Sequence, residues 1–152
     1  MSPKHWGPPL WMFFHTLAEK IDETKFIELG LGSQLFNLIK QICNNLPCPD
    51  CSKHATSFLN KVKSNTISTK QDFKMMLFYF HNLVNTRTNK PVFLQTDLSI
   101  YATYSLPVVF QQFVTTYNRK TGNLRLMSDS MKRKHIIINV SSWLKTNNEH
   151  FN

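Results

Sequence analysis

Apolar side chains recur every three or four residues along most of this chain, and no other feature limits its fold as strongly. This spacing puts apolar side chains on one face of a helix, and that face must pack against another helix. Such stripes run through Leu10–Ile21, Leu35–Leu46, Ala55–Val62 and Phe73–Val84. We therefore predict an all-α fold, in which a four-helix bundle carries additional helices towards the C-terminus.

Proline and capping residues predict where these helices begin and end. Pro8 and Pro9 suit the first turn of the first helix. Ser33 and Thr69 are candidate N-caps of the second and fourth helices. Pro91 is expected to end the fourth helix, because a proline cannot continue the hydrogen-bonding pattern.

Two interpretations stay open beyond Pro91. Residues 97–117 fit a fifth helix interrupted at Pro107, and residues 128–144 fit a sixth. Within the latter, the run from His135 to Val140 would also suit a β-strand. We expect the helical alternative, because Ile137, Val140 and Leu144 are in helical register.

Charge and composition limit the class of protein. The 152 residues carry 18 Lys and Arg against 9 Asp and Glu, and 41% are hydrophobic, which excludes a disordered chain. The basic surplus suggests an acidic partner, such as nucleic acid or a phosphorylated cofactor. More than half of it lies in residues 117–152, where Lys132–Lys134 could contact an anion or form a solvated helix face.

No apolar run has the length of a signal-peptide core or a membrane span, so we expect a cytoplasmic protein. Cysteines in such a reducing compartment are more often catalytic or metal-binding than structural staples. The chain has only three of them.

The segment Cys48-Pro49-Asp50-Cys51 is the most informative tetrapeptide. We expect the third helix to start at this segment, and at the start of a helix two intervening residues place both sulfurs within disulfide reach. The positive end of the helix dipole there stabilises a thiolate, whereas the Asp50 carboxylate opposes it. The spacing alone leaves a redox centre and half of a zinc site equally open.

A zinc site remains an alternative because Cys43, Cys48, Cys51 and His54 lie within twelve residues. With the basic tail, this set would suit a zinc-stabilised nucleic-acid-binding module. Against it, Cys43 shares the apolar side of its helix with Ile39 and Leu46, which is typical of a buried structural thiol.

Two further sets of polar and aromatic residues predict a pocket for a flat aromatic ligand. Trp11 and His15 share one face of the first helix. On the fourth helix and just after it, hydrogen-bonding side chains interrupt a surface built from Phe and Leu. These side chains are His81, Asn82, Asn85 and Lys90.

Three segments together resemble, in order and spacing, the motifs of the Erv/ALR FAD-linked sulfhydryl oxidases. They are WGPPLWMFFH at residues 6–15, CPDCSKH at 48–54 and HNLVNTRTNKP at 81–91. The resemblance covers residues 4–100 and is strongest to the short members encoded by large cytoplasmic DNA viruses.

The resemblance implies a homodimeric helical bundle with FAD at its mouth. It divides the chain into a core, residues 1–105, and a C-terminal extension of unknown role, residues 106–152. It assigns Cys48 and Cys51 as the catalytic pair and implies no metal site. The residues that it implies for cofactor binding are Trp6, Gly7, Trp11, His15, His54, His81, Asn82, Val84, Asn85 and Lys90.

The implied activity is oxidation of protein thiols to disulfides, with reduction of O2 to H2O2. Cys48 would receive the substrate thiolate, and Cys51 would pass two electrons to the flavin. The implied partner is a small thioredoxin-like or CxxC carrier protein. For a virus-encoded member, the expected location is the host cytoplasm, with packaging in the virion as a further possibility.

Overall fold

The computed structural model describes the backbone of residues 2–118 and 124–152 and the side chains of 2–118 and 128–152. Within these ranges the chain forms α1 Pro3–Lys20, α2 Glu23–Glu28, α3 Leu31–Cys43, α4 Pro49–Lys61, α5 Lys70–Arg87, α6 Leu106–Tyr117 and α7 Leu124–Asn147. Short 3-10 helices lie at Ser64–Thr66, Gln95–Thr103 and Asn148–His150. The predicted all-α fold is confirmed.

The core is centred on α1. Phe13 and Phe14 are fully buried. The Phe13 ring packs 4.9 Å from that of Phe113 and 5.2 Å from that of Phe110, both on α6. Helix α6 therefore covers one side of α1, and its buried residues join the same core cluster as those of α3, α4 and α5. How the chain divides functionally at residue 105 stays a prediction.

Two predicted helix starts are wrong. Helix α1 begins at Pro3 behind the N-cap Ser2, so Pro8 and Pro9 lie inside it. They are tolerated there because the carbonyls that lose a partner belong to the exposed residues Lys4 and His5, where water can satisfy them. At α3, Gly30 is the N-cap, with a positive φ of 60°.

The other two predicted starts are confirmed. Cys48 is the N-cap of α4, and Pro49 occupies its first turn. Thr69 caps α5 in a reciprocal box with Asp72, whose carboxylate accepts from the Thr69 N–H at 3.0 Å. The same helix ends at Arg87, before Pro91.

The sequence did not predict α2, which is too short for a periodic pattern, nor the 3-10 helix at Gln95–Thr103. Pro107 occupies the first turn of α6 and does not interrupt a longer helix. The strand interpretation of His135–Val140 is wrong, because α7 runs through it. Residues 119–123 of the extension lie outside the described residues.

The basic triplet on α7 is not a uniformly solvated face. Lys132 and Lys134 are exposed, whereas Arg133 is only 2% exposed. Its guanidinium donates to Ser130 Oγ at 3.1 Å and lies 6.0 Å from the centre of the Tyr117 ring. Burial lowers the pKa of Arg133, and the side chain acts as part of the packing between α6 and α7.

Among the described residues, no helix combines the length and the hydropathy needed to cross a membrane.

Candidate active site

Cys48 and Cys51 form a disulfide at the N-terminus of α4, with their Cα atoms 5.2 Å apart. Pro49 starts the helix between them, so both sulfurs lie at the positive end of the helix dipole. Cys48 Sγ also accepts the Cys51 backbone N–H at 3.2 Å. On reduction, this donor and the dipole would both favour the thiolate over the thiol.

The Asp50 carboxylate, next to Cys51 in the sequence, would oppose this stabilisation of a thiolate. Its carboxylate lies 3.6 Å from His54 Nε2, and the Asp50 side chain is 75% exposed. Solvent therefore screens its charge from the two sulfurs.

A cavity of about 440 Å³ lies beside the disulfide, between the first half of α1 and the second half of α5. Cys51 contributes to its wall, whereas Cys48 does not. Cys51 is therefore the inner cysteine, next to the cavity, and the role of Cys48 in receiving a substrate stays a prediction. The predicted site residues that line the cavity are Trp6, Gly7, Trp11, Cys51, His81, Val84, Asn85 and Lys90.

Stacked rings form one wall of the cavity. The Trp11 and His81 rings lie 4.1 Å apart with 5° between their planes. His15 lies behind them, and its Nε2 is 2.9 Å from His81 Nδ1, so one ring donates a hydrogen bond to the other. The Tyr101 ring also stacks on His15, with the ring centres 4.7 Å apart. These contacts fix the rings in position and leave flat aromatic surface for a planar ligand.

The two histidines are held neutral. Burial, aided by His81, lowers the pKa of His15 to about 3. Burial, aided by the charge of Lys90, lowers the pKa of His81 to about 4. A neutral pair can share one hydrogen bond, whereas a doubly protonated pair would place two cations in contact.

Two cationic side chains also line the cavity. Arg87 is the last residue of α5, and Lys90 lies three residues after it. Both side chains are exposed and border the cavity. Asn85 is buried beside them, and its amide donates to Asn82 Oδ1 at 3.3 Å. Trp6 is buried, and its indole Nε1 has no hydrogen-bond partner among the described side chains and backbone. The cavity thus offers positive charge to an anionic ligand.

Besides Cys48, three residues predicted to bind the cofactor lie outside the cavity wall. His15 acts through His81, and Asn82 binds the backbone of Phe93 by accepting its N–H and donating to its carbonyl, both at 3.0 Å. This pair of bonds anchors the segment that follows α5. His54 is exposed and paired with Asp50, so its contact with a cofactor stays a prediction.

The sequence did not predict that Arg87, Thr88 and Tyr101 line the cavity. Thr88 could have been found, because it lies seven residues after His81 and so shares its helix face. Tyr101 gave no such signal, since it lies in the 3-10 helix Gln95–Thr103, which only the tertiary fold brings to α1.

Cys43 is a buried free thiol, as its position on the apolar face predicts. Burial raises its pKa, so it is protonated at neutral pH and is a poor nucleophile. It borders the same cavity as Cys51. Within the described residues, no three His, Cys, Asp or Glu side chains are grouped to hold a metal ion. The joined sulfurs of Cys48 and Cys51 are also not available as zinc ligands.

Comparison with known proteins agrees with this geometry. The profile of the Erv1 / Alr family matches residues 8–104. An FAD-linked sulfhydryl oxidase of African swine fever virus (isolate Pig/Kenya/KEN-50/1950) is 35% identical over 91 residues, which are 58% of this chain and 71% of the relative.

Two other viral relatives carry provisional names as FAD-linked sulfhydryl oxidases. The 096R protein of Invertebrate iridescent virus 3 is 32% identical over 92 residues, 60% of this chain. That match spans 61% of the relative, less than two thirds of its length. OPG072 of vaccinia virus (strain Copenhagen) is 26% identical over 91 residues, 60% of this chain and 87% of the relative.

The chain belongs to the Erv1 / Alr family, and the resemblance of its three motifs is confirmed. The matched residues include both cysteines of the disulfide and most of the cavity wall. Residues 105–152 lie outside the match. None of these comparisons supports the zinc-stabilised nucleic-acid-binding alternative.

Proposed function

We propose that this protein is an FAD-dependent thiol oxidase that forms disulfides in protein substrates. The observation that carries the proposal is the disulfide at the N-terminus of α4, whose inner cysteine borders the aromatic cavity. Membership of the Erv1 / Alr family and the names of the viral relatives support it.

The residues that line the cavity suit the chemical groups of the proposed cofactor. Trp11 and His81 offer ring faces to the planar parts of FAD, and Arg87 and Lys90 offer charge to its diphosphate. The volume, about 440 Å³, is within the range of ordinary ligand sites.

In the proposed reaction, a substrate thiolate attacks Cys48 Sγ and the Cys48–Cys51 bond breaks. Cys51 leaves as a thiolate, which the α4 N-terminus stabilises. A second substrate thiolate then attacks the substrate sulfur of this mixed disulfide. The substrate leaves as a disulfide. Cys48 leaves as a thiolate, whose sulfur accepts the hydrogen bond from the Cys51 N–H.

The protein pair has now gained two electrons, which must leave before another turnover. Bound FAD supplies the chemistry that accepts two electrons and transfers them to O2, giving H2O2. The neutral His15–His81 pair holds the Trp11 ring in position in the wall of the cavity that Cys51 also borders. In this proposal the chain orients the reactants and stabilises the thiolates.

Oxygen consumption with dithiothreitol tests the proposal. Wild-type protein and a Cys43→Ser variant, the matched control, should both consume oxygen, because Cys43 is a buried thiol outside the disulfide. Cys51→Ser should keep its flavin and lose turnover. Turnover by Cys51→Ser at the wild-type rate would contradict the assignment of the catalytic pair.

We extend the proposal to partners and location. The protein substrate is a small thioredoxin-like or CxxC carrier that contacts Cys48, and the enzyme acts as a homodimer in the host cytoplasm or the virion. In Cys51→Ser, the free Cys48 thiolate should attack the disulfide of an oxidised carrier, so that Cys48 is linked to one carrier cysteine and the other carrier cysteine leaves as a thiolate. Light scattering of the purified protein at several concentrations measures its oligomeric state, and a monomer throughout would contradict the homodimer.

A further inference from the structure

A second cavity lies at the other end of α1, away from the disulfide. Its volume is about 630 Å³, larger than that of the first. All of its lining residues except Lys20 belong to residues 105–152, the part of the chain outside the family match. The extension therefore builds a cavity that the Erv1 / Alr core does not have by itself.

The cavity has an apolar floor. Leu106 and Phe110 on α6, Leu144 on α7 and Phe151 are partly buried and pack against the core. A hydrocarbon chain or ring can bind to such a floor without burying an unpaired polar group. The contact is favourable because it removes apolar surface of the ligand and of the floor from water.

The rim of the cavity is positively charged. Lys20 and Lys145 both border it, and among the described residues neither ammonium group forms an ion pair. No Asp or Glu side chain contributes to its described wall. Ser105, the N-cap of α6, makes no side-chain capping bond, so the first-turn N–H groups of α6 add positive charge at the same rim.

Backbone hydrogen bonds fix the walls of this cavity relative to each other. The Asn152 N–H donates to the Lys20 carbonyl at 2.8 Å, and the Asp22 N–H donates to the His150 carbonyl at 2.7 Å. Ile21 and Phe151 form an antiparallel bridge between these bonds. These bonds join the end of the extension to the end of α1. They therefore fix the segments that carry Lys20 and Lys145 relative to each other.

We propose that this cavity binds a small amphiphilic anion, a carboxylate attached to an apolar chain. The apolar tail contacts Leu106, Phe110 and Leu144, and the carboxylate lies between Lys20 and Lys145. The charge of the rim matches the head group, and the floor matches the tail. This binding site is separate from the disulfide and does not depend on the proposed oxidase activity.

Titration of the full-length, flavin-loaded protein with sodium decanoate tests the proposal. Calorimetry should give saturable binding, and amide chemical shifts should change at residues 105–110 and 141–152. Decyltrimethylammonium, which has the same tail and the opposite charge, should not compete. Saturable shifts only at the cavity next to Cys51, or no saturation, would overturn the proposal.

Charge variants provide the second arm of the test. Lys20→Gln combined with Lys145→Gln should weaken decanoate binding about tenfold, because two partly exposed ion pairs are lost. Lys132→Gln, an exposed lysine on the same helix as Lys145 but outside the cavity, is the matched control and should bind like the wild type. Equal affinity of the double variant and the wild type would contradict the assignment.

Discussion

The buried histidine pair predicts that acid destabilises the folded protein well above the pH at which carboxylates titrate. His15 is 1% exposed, and its pKa is lowered from 6.5 to about 3. The unfolded chain therefore binds a proton below about pH 6.5 that the folded chain does not bind. Stability contributed by the neutral ring is complete above that pH and is lost as the pH falls towards the folded pKa.

The size of the effect follows from these two pKa values. Between about pH 7 and about pH 5, protonation of His15 in the unfolded chain lowers the free energy of unfolding by about 2 kcal/mol. His81, whose pKa is lowered to about 4, adds a contribution of the same sign. Asp72, with a lowered pKa from its hydrogen bonds to Thr69 and Ser68, acts only at lower pH.

Urea unfolding at both pH values, with FAD at one fixed excess, measures this difference. His15→Gln keeps a hydrogen-bonding group next to His81 but cannot titrate, so its loss of stability between the two pH values should be about 2 kcal/mol smaller than that of the wild type. His135→Gln, at an exposed position on α7, is the matched control. The same pH dependence in His15→Gln and the wild type would refute the reasoning.

Further predictions concern stability, and denaturant midpoints measure each of them. Gly32→Ala should destabilise the fold by about 1–3 kcal/mol, since its Cβ would collide with the Ile67 carbonyl oxygen. Gly7→Ala, where a Cβ meets nothing within 4 Å, should be neutral or stabilising, and a loss as large as that of Gly32→Ala would contradict this account. Tyr117→Phe should cost about 1–2 kcal/mol, because the buried hydroxyl donates to the Ile42 carbonyl at 2.9 Å. An unchanged midpoint for Tyr117→Phe would show that this bond adds nothing.

The features predicted correctly from the sequence are those with local causes. Thr69 caps its helix with its own side chain, and Cys48-Pro49 begins α4 through the fixed φ of proline and the short CxxC spacing. The buried free Cys43 follows from the apolar face of α3. None of these depends on a distant part of the chain.

The features that the sequence did not predict depend on tertiary contacts. The early start of α1 is an exception with a local cause, because the Ser2 side chain caps the helix at Pro3 and so places Pro8 and Pro9 inside it. Arg133 reads as part of a basic surface run, but it is buried against α6 beside Tyr117. Tyr101 reaches His15 only because the segment after α5 folds back onto α1.

Anaerobic reduction of the purified protein tests the central claim most directly. The protein should carry about one flavin per chain, and dithiothreitol should bleach its yellow absorption in the wild type and in Cys43→Ser. In Cys51→Ser the flavin should stay bound and oxidised on the same timescale, because the inner cysteine next to the cavity is missing. A colourless protein with stoichiometric zinc, or equally rapid bleaching of Cys51→Ser, would contradict the account.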